Sequence, residues 1–367
     1  MPLDRGKTTR YLYPMKIAML LSGGVDSSVA LRLLKEQGHD VTAFYLKIWL
    51  QEEFSFLGEC PWEEDLTYAR GVCEQAGVPL EVVPMQDEYW NSVISYTIDE
   101  IKAGRTPNPD MFCNNLVKFG QFIDKIDTSY EKVASGHYAR IREVNGKAEL
   151  FMTPDPIKDQ TYFLAYCSQQ QLSRALFPIG EYTKAQVRDL AAKYDLPTQD
   201  RRDSQGLCFL GQIRFSDFIK EHLGIMKGDL IEIDTNEKMG EHNGYYYYTI
   251  GQRQGLGLSG GPWYVVKKDL PNNTVYISRR HNMEEKHRDS FKAGAFNWIS
   301  GEQPTTSDLR VKIRHGETIY NCAAEFSADG SEANVKMERA DRSGIAPGQF
   351  AVFYDDGVCL GAGVILE

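Results

Sequence analysis

Alternation of short strands and helices over the first two hundred residues constrains the fold of this chain most. The apolar run KIAMLL is followed by SGGVDSS and then by SVALRLLKEQG, in which Val29, Leu33 and Leu34 recur at helical spacing. Asp40 then begins VTAFYLKIWL, a second run that is rich in branched and aromatic residues. Because strands that alternate with helices form parallel sheets, we predict a doubly wound α/β domain.

Further elements of both kinds follow this first unit. We predict a helix in EEDLTYARGVCEQAG, a strand in LEVVPM, helices from about Asp87 to Ala103 and from Asn114, and a strand in EKVASGHYA. Two later helices have readable starts, because Ser168 with Gln171 and Thr183 with Gln186 fit the S/T-x-x-E/Q capping box.

The second half of the chain has a different pattern. After about Leu223, segments such as GDLIEIDT, GYYYYTIG, PWYVVKKD and NTVYISRR are separated by turn residues about every eight to twelve positions, which indicates β structure. The pattern continues from about Ser290 and ends in GQFAVFYDDGVCLGAGVILE, whose Asp-Asp-Gly predicts a hairpin turn. We therefore predict a poorly ordered extension at 1–14, a catalytic α/β domain at 15–222, a small central β domain at 223–289 and a further β-rich domain at 290–367.

Charge and cysteine content exclude several classes of protein. The 51 acidic and 41 basic residues give a net charge of -10, so a nucleic-acid partner must be argued from local sites. No run approaches the roughly 18 apolar residues that span a bilayer, and we expect no membrane partner. Seven cysteines without a C-x-x-C pair indicate neither a disulfide framework nor a metal site, and they favour a reducing compartment. The start lacks an apolar signal core, which excludes secretion; its basic residues leave an organelle-targeting stub as an alternative.

The heptapeptide SGGVDSS, residues 22–28 and called the signature loop below, carries the first chemical prediction. It lies between a strand and a helix, where backbone N–H groups can hold phosphate, and its two glycines permit close approach. It lacks the endings of a Walker loop and of a dinucleotide fingerprint, and it matches the SGGxDS signature of ATP pyrophosphatases. Such enzymes transfer AMP from ATP to a carbonyl oxygen and release pyrophosphate. The alternative interpretation is an ordinary strand-to-helix turn.

Two cysteine segments carry the second prediction. GRTPNPDMFCN places Asp110 three residues before Cys113, at the expected edge of a helix, where a thiolate is stabilised and a carboxylate can accept a proton. RRDSQGLCFLG presents Cys208 between two glycines, which indicates a turning or mobile loop. For each cysteine the alternative is a buried packing role, since free cysteine is often buried.

Together these segments resemble one enzyme family. The chain contains SGGVDSS, LKIW, EYW, AGRTPNPDMFCN, KFG, SGHYAR, KDQTYFL, LFPIGEYTK, DSQGLCFLG, TIGQRQGLG, PWYVV and PGQFAVFY in the order seen in tRNA-specific 2-thiouridylases, from about Lys16 onward. The resemblance implies an ATP-pyrophosphatase domain, a small central domain and a C-terminal β-barrel. It also implies ATP-dependent 2-thiolation of the wobble uridine, position 34, in tRNAs for Lys, Glu and Gln. Adenylation of the C2 oxygen would be followed by sulfur transfer from a cysteine persulfide.

The resemblance also assigns residues. Cys113 would be the catalytic cysteine with Asp110 as general base, and Cys208 would carry the persulfide. The ATP-binding residues would be Leu20, Leu21, Ser22, Gly23, Gly24, Val25, Asp26, Ser27, Leu46 and Gly136. The tRNA-binding residues would be Asn108, Pro109, Asp110, His137, Lys158, Asp159, Gln160, Arg314, His315 and Gln349. Mg²⁺ is expected as the counter-ion of ATP, and no other metal is expected.

The chain departs from the family pattern at two places. Ile48 stands where many members have asparagine, which weakens any polar role for that position, and Val117 replaces isoleucine in CNxxIKF. The sulfur donor would be a cysteine desulfurase or a sulfur-relay protein, and the compartment would be the cytoplasm or, alternatively, a plastid or mitochondrion. Residues 102–147 and 267–292 are each locally +3, and we expect phosphate contacts there and at Arg314 with His315. Replacing Arg314 together with Lys312 should then weaken RNA binding, on the expectation that both contact phosphate.

Two other functions compete with this interpretation. An amidotransferase or ligase with the same loop would act on a small molecule and would not depend on RNA. A non-catalytic RNA-binding protein would use the C-terminal β domains and leave the signature loop and the cysteine segments unexplained. An iron–sulfur thiolase is disfavoured, because C-x-x-C spacing is missing.

Overall fold

The structure, a computed structural model, describes residues 13–48, 62–203, 215–279, 288–306, 308–341 and 344–366. The strands are β1 Lys16–Leu20, β2 Asp40–Lys47, β3 Leu80–Pro84, β4 Lys132–Ala134, β5 Arg140–Val144, β6 Lys147–Phe151, β7 Ala175–Leu176, β8 Gly228–Glu232, β9 Lys238–His242, β10 Tyr264–Asp269, β11 Thr274–Ser278, β12 Ser290–Trp298, β13 Asp308–Lys312, β14 Tyr320–Phe326, β15 Glu332–Met337, β16 Phe350–Asp355 and β17 Val358–Ile365.

Helices surround the first sheet and connect its strands. They are α1 Val25–Glu36, α2 Trp62–Ala76, α5 Thr161–Leu164, α6 Gln169–Arg174, α7 Lys184–Lys193 and α8 Phe215–Leu223, and two longer helices that contain a π-helical segment. Of these, α3 runs through Gln86–Tyr89, the π segment Trp90–Ile94 and Ser95–Lys102, and α4 through Pro109–Phe112, the π segment Cys113–Gln121 and Phe122–Lys125. Within the described ranges, none of the helices has the length and apolar character needed to cross a membrane.

The first domain is built on a parallel sheet with the strand order β3-β2-β1-β4-β7. Successive residues of a strand point to opposite faces. On β1, Ile17 and Met19 accordingly join the core that contains α1 and α2, whereas Ala18 and Leu20 join the core beneath α3 and α4. Both faces of the sheet are therefore covered by helices, which confirms the predicted doubly wound α/β fold.

Local sequence signals account for most of the helix and turn boundaries. Ser168 and Thr183 cap α6 and α7, and each forms the complete capping box with the glutamine three residues on. Asp356 and Gly357 both have positive φ, at 42° and 81°, as a type I′ hairpin between β16 and β17 requires. These predictions are confirmed.

Two predicted elements are wrong. The segment GYYYYTIG contains a 3₁₀ helix, Tyr245–Tyr247, instead of a strand. Its tyrosines anchor it through their hydroxyl groups, since those of Tyr246 and Tyr247 donate to the carbonyl of Gly224 at 3.1 and 2.9 Å. The helix α4 begins at Pro109, five residues before the predicted start at Asn114, because Asn108 caps it and proline suits its first position.

The last domain is a closed antiparallel barrel, as expected. Six strands follow one another in the order β12-β15-β14-β13-β16-β17, and pairing of β12 with β17 closes the ring. The central domain is a separate four-stranded sheet, β10-β11-β8-β9, packed around Trp263 and Val265.

A hairpin from the first domain joins the barrel. Strands β5 and β6 pair with each other, and β6 pairs with β17 at Leu150 with Cys359 and at Phe151 with Val358. Barrel residues such as Phe350 and Tyr354 also belong to the same core cluster as Cys113. The barrel is therefore packed directly against the helix that carries this cysteine.

Candidate active site

The signature loop follows the carboxyl end of β1 and leads into α1. In the sheet, β1 lies between β2 and β4, so the strand order changes direction at β1. Ligands of open parallel sheets bind at such switch points. The first intrahelical hydrogen bond of α1 runs from the Ser28 N–H to the Gly24 carbonyl, so the N–H groups of residues 25–27 have no partner within the helix. The predicted nucleotide residues Leu20, Leu21, Ser22, Gly23, Gly24, Val25, Asp26, Ser27 and Leu46 all lie at this edge.

Three glycines permit the close packing around the loop. Gly23 has φ of +76°, and a Cβ there would lie 2.2 Å from the carbonyl oxygen of Asp65 on α2. A Cβ on Gly136 would lie 2.6 Å from the backbone nitrogen of Ser27. Gly24 is the N-cap residue of α1, and the Ser27 and Ser28 hydroxyls donate to its carbonyl at 3.1 and 2.8 Å. The loop is thus packed so closely against α2 and the segment after β4 that a Cβ on Gly23 or Gly136 would collide with neighbouring backbone.

An ion-pair cluster lies beside the loop. The Lys184 ammonium contacts the carboxylates of Asp26 and Asp203 at 2.7 and 2.8 Å, and the Tyr138 hydroxyl donates to the same Asp26 oxygen at 2.8 Å. Asp203 also accepts from Lys158 at 2.8 Å and from Arg188 at 2.6 Å. Burial alone would raise the pKa of Asp203, but the hydrogen bonds from Lys158 and Lys184 hold it well below its usual range. The cluster therefore keeps Asp203 ionised.

Arg201 fastens the loop from the other side. Its guanidinium donates to the carbonyl of Gly23 at 2.7 Å, pairs with Asp65 at 2.8 Å and lies 4.3 Å from the centre of the Tyr68 ring. Asp65 of α2 therefore lies against the signature loop. Residues 49–61, which precede α2 in the sequence, lie outside the described part.

The helix α4 places Asp110 in its first turn and Cys113 one turn later. The Asn108 side chain accepts from the N–H of Met111 at 3.2 Å, which fixes the start of the helix. Cys113 is only 1 % exposed, and its π-helical segment packs against the one that follows Tyr89. Burial raises the pKa of Cys113, with opposing contributions from the Lys118 charge and from a hydrogen bond with the Tyr89 side chain. The prediction of a stabilised thiolate is therefore wrong for this conformation. Burial of Cys113 in the core raises its pKa more than the charge of Lys118 lowers it.

The barrel reaches this helix through Gln349. Its side-chain amide donates to the carbonyls of Thr106 and Pro107 at 3.1 and 2.8 Å, and the Thr106 N–H donates to the carbonyl of Pro347 at 2.8 Å. A Cβ on Gly348 would collide with this connection, at 2.9 Å from the Thr106 oxygen. The barrel thus holds the connection that leads into α4, and Asn108 and Pro109 are buried as a result.

Asp159 and Lys312, which we expected to contact RNA, pair with each other in the interior of the protein. The carboxylate of Asp159 is buried 3.5 Å from the equally buried ammonium of Lys312, and it accepts from the Thr161 hydroxyl at 2.5 Å. Neither charged group can reach a phosphate in this conformation. The expectation that Lys312 contacts RNA is therefore wrong, because the lysine joins the barrel to the first domain.

The remaining predicted residues are distributed around the site. His315 is stacked on Phe163 with ring centres 4.7 Å apart and hydrogen-bonds the Asp159 carbonyl at 3.1 Å, and Arg314 pairs with Asp341 at 2.8 Å while its side chain stays 40% exposed. The Gln160 side chain accepts from the N–H of Tyr138 at 2.9 Å. His137 is packed against the rings of Phe119 and Phe177, and burial lowers its pKa well below the usual range.

Residues 135–138 connect the two halves of the site. Gly136 touches the signature loop, Tyr138 binds Asp26, and His137 lies with its ring centre 6.2 Å from that of Phe119 on α4. One four-residue segment after β4 thus contacts both the phosphate-type cradle and the cysteine helix. Cys208 lies outside the described residues.

Sequence reasoning missed Tyr89, which lies beside Cys113, and the groups that surround the loop: Tyr138, Lys184, Arg188, Arg201 and Asp203. Several of them lie inside motifs that the sequence comparison uses, such as EYW, SGHYAR and LFPIGEYTK. Motif membership was a usable signal, but Tyr138, Lys184 and Arg201 contact the loop from positions more than one hundred residues away in the chain.

Comparisons with family models and with curated proteins both match this chain to tRNA-modifying proteins. Family models match in three successive parts: a tRNA methyl transferase HUP domain at residues 15–212, a tRNA methyl transferase PRC-barrel domain at 216–279 and an aminomethyltransferase beta-barrel domain at 288–365. The chain is 42% identical over 361 residues to the tRNA-specific 2-thiouridylase MnmA of Parabacteroides distasonis, covering 96% of this chain and 99% of that one. It is 44% identical over 365 residues to MnmA 1 of Bacteroides thetaiotaomicron, with the same coverage.

A solved structure of NMN synthetase from Francisella tularensis is also similar, at 16% identity and a TM-score of 0.33, covering 59% of this chain and 74% of that one.

Proposed function

The chain belongs to the tRNA-specific 2-thiouridylase family, and we propose that it is a sulfurtransferase that thiolates a uridine of tRNA at the expense of ATP. The proposal rests on full-length identity of 40–44% to relatives named for this activity. The family models carry methyltransferase in their names, but the curated relatives cited above are named for thiolation. The pyrophosphatase signature loop favours thiolation as well, because it is suited to activating a carbonyl oxygen with ATP.

One observation carries the mechanism: residues 135–138 contact both the signature loop and the cysteine helix. We propose that ATP binds the signature loop with Gly136 and Leu46, and that Mg²⁺ accompanies it as counter-ion. Gly136 packs against the backbone of Asp26 and Ser27, where a Cβ would displace the loop. A loop held in this way at a helix N-terminus suits binding of phosphate by backbone N–H groups. A base held at α4 would then lie beside the nucleotide, as adenylation of the uridine C2 oxygen requires.

The sulfur chemistry needs two cysteines. We propose that Cys208 carries a persulfide and that the Cys113 thiolate attacks its inner sulfur, forming a disulfide and releasing the outer sulfur as hydrosulfide. Hydrosulfide then attacks C2 of the adenylated uridine, and AMP leaves with the former C2 oxygen. A thiol reductant must reduce the disulfide before the next turnover. We propose that Asp110, one turn before Cys113 on α4, accepts the thiol proton that Cys113 must lose.

Access to Cys113 requires a change in its surroundings, since the sulfur is buried in this conformation. We propose that the connection leading into α4, which Gln349 holds through Thr106 and Pro107, moves when RNA binds. We propose that Asn108, Pro109 and Asp110 approach the target base, which must be flipped from its stack, and that Lys158, Arg314 and His315 contact the backbone around it. Asp159, Gln160, His137 and Gln349 support that surface from inside.

The finer assignments extend the same proposal. The acceptors are tRNAs for Lys, Glu and Gln, modified at wobble position 34, and the sulfur donor is a cysteine desulfurase or a relay protein. The described cysteines 73, 113, 167, 322 and 359 are buried free thiols, which supports action in a reducing compartment such as the cytoplasm.

The test measures pyrophosphate release from ATP and 2-thiouridine in tRNA with the purified chain. Release should depend on tRNA and should be abolished in Asp26→Ala. Cys208→Ser should spare adenylation but prevent persulfide loading, and Cys113→Ser should load sulfur without delivering it. Cys322→Ala, which changes a buried barrel cysteine, is the matched control and should keep thiolating. Release that is indifferent to tRNA would instead support the small-molecule ligase.

A further inference from the structure

We propose that Lys118 is a further functional residue of the thiolation reaction, and that its ammonium stabilises the Cys113 thiolate that attacks the persulfide. The inference rests on the proposed function and adds to it the cation that supports this attack. Both residues lie on α4, within the π-helical segment Cys113–Gln121.

The π-helical form of this segment brings the two residues to one side of the helix. In a regular α-helix, with about 3.6 residues per turn, side chains five positions apart point about 140° away from each other. In a π-helix the N–H of residue i+5 bonds to the carbonyl of residue i, so residues five positions apart are stacked one turn apart. The wider turn therefore places Lys118 on the same side of α4 as Cys113. Such segments are rare and are frequent at functional sites.

Hydrogen bonds direct the Lys118 ammonium into the site. Its side chain is half-buried, and its Nζ donates to the Oδ1 of Asn114 at 3.1 Å. Asn114 is buried and is itself fixed, because its amide donates to the carbonyl of Phe163 on α5 at 3.2 Å. The ammonium is thus held against the side chain of the residue that follows Cys113.

Three neighbouring groups are influenced by this charge. Burial raises the pKa of Cys113 and of Cys167, which follows α5, and the Lys118 charge opposes the increase in both. Burial lowers the pKa of His137, which follows β4, and the same charge lowers it further, so the imidazole is neutral at pH 7. Because the three groups come from different segments, the ammonium lies in the interior of the site, where charges are weakly screened.

The influences on Cys113 differ in whether they persist during the reaction. Burial is the largest and raises its pKa, the Asp110 charge raises it too, and a hydrogen bond with the Tyr89 side chain of α3 lowers it. Burial is relieved when the site opens to RNA, and the Asp110 charge is lost when its carboxylate takes the thiol proton. Lys118 moves with Cys113, because both lie in one helical segment. Its charge therefore remains when the opposing influences are removed, and it then favours the thiolate.

The experiment measures single-turnover thiolation of saturating tRNA between about pH 6 and pH 9, with the full chain loaded with persulfide by a cysteine desulfurase. Lys118→Met removes the charge, Lys118→Gln removes it but keeps a hydrogen-bond donor, and Lys118→Arg keeps it. Lys193→Met is the control and removes an exposed charge at the end of α7. Pyrophosphate release is measured in parallel, because adenylation does not use the thiolate, and thermal unfolding shows whether each variant is folded.

We expect both neutral variants of Lys118 to thiolate about 10- to 100-fold more slowly than the parent at pH 7, because loss of a neighbouring opposite charge lowers the thiolate fraction. The difference should narrow as the pH rises and the thiol loses its proton without help. Pyrophosphate release should change by less than about twofold. Lys118→Arg should keep most of the rate, and Lys193→Met should match the parent.

Two results would overturn the inference. One is a pH profile of the neutral variants that matches that of the parent, and the other is a loss of the same size at every pH, which indicates a structural role. Retention of the full rate by Lys118→Gln alone would assign the effect to a hydrogen bond and would also contradict a role of the charge. If the parent protein makes no 2-thiouridine, the proposed function itself is refuted, which the parent's own assay shows separately.

Discussion

Removing the Lys312 ammonium should destabilise the protein by about 3 kcal/mol. The side chains of Lys312 and Asp159 are both fully buried, with nitrogen and oxygen 3.5 Å apart. Loss of one partner of a buried pair leaves an uncompensated charge and costs about 3–5 kcal/mol. We expect the lower end for Lys312→Met, because Asp159 keeps hydrogen bonds from the Thr161 hydroxyl at 2.5 Å and the Thr153 N–H at 2.9 Å.

A double variant tests the reasoning more directly than the single one. In Lys312→Met with Asp159→Asn, the unpaired charge is gone. The asparagine oxygen can accept from the Thr153 N–H, and its amide can donate to Thr161. The Thr161 hydroxyl can in turn donate to the Tyr354 hydroxyl, which lies 3.1 Å away. We therefore expect the double variant to be more stable than Lys312→Met alone by about 1–2 kcal/mol.

The assay is urea unfolding followed by circular dichroism. Lys336→Met is the matched control, because Lys336 is 63% exposed and its pair with Asp289 lies on the barrel surface. Exposed pairs contribute little, so the control should change the free energy of unfolding by less than about 1 kcal/mol. If Lys312→Met is as mild as Lys336→Met, or if the double variant is less stable than the single one, the buried pair does not join the two domains as argued.

Three further predictions follow from the site and its supports. Because burial raises the pKa of Cys113, its alkylation by iodoacetamide in tRNA-free protein should be slow at pH 7 and should accelerate as pH rises above 9. Peptide mass spectrometry measures the labelling, and rapid labelling at pH 7 would contradict this prediction. Ser168→Ala should lower the free energy of unfolding by about 1 kcal/mol through loss of the capping box, whereas Ser173→Ala in the same helix should change it little in the same urea titration. Gly136→Ala should abolish binding of the non-cleavable α,β-methylene analogue of ATP in isothermal titration calorimetry while the protein stays folded, because the added Cβ would displace Ser27. Gly71→Ala is the control and should bind normally, since its Cβ would meet only Pro197 at 3.5 Å.

Elements with strong local signals were predictable from the sequence. The alternation of KIAMLL, SGGVDSS and SVALRLLKEQG specified β1, the signature loop and α1, since the apolar periods of strands and helices differ. The capping boxes and the Asp-Asp-Gly hairpin were predictable for a similar reason, because they are satisfied within a few residues of chain.

Elements whose conformation depends on distant partners were not predictable in this way. GYYYYTIG has the composition of a strand, yet its tyrosine hydroxyls find partners at Leu223 and Gly224 and hold it as a 3₁₀ turn. The hairpin β5–β6 gives no signal that it joins a barrel whose strand β17 lies more than two hundred residues later.

The same distinction between local signals and distant contacts applies to the candidate site. The sequence by itself determined the chemical groups: a glycine-rich loop between a strand and a helix, a carboxylate three residues before a cysteine, and a second cysteine. The tertiary structure alone decided their environment. It buried Cys113, which raises its pKa, took Asp159 and Lys312 out of reach of RNA, and gathered Lys184, Asp203 and Arg201 around the loop. Burial and ion pairing depend on which distant segments pack together, and no local pattern of residues encodes that contact directly.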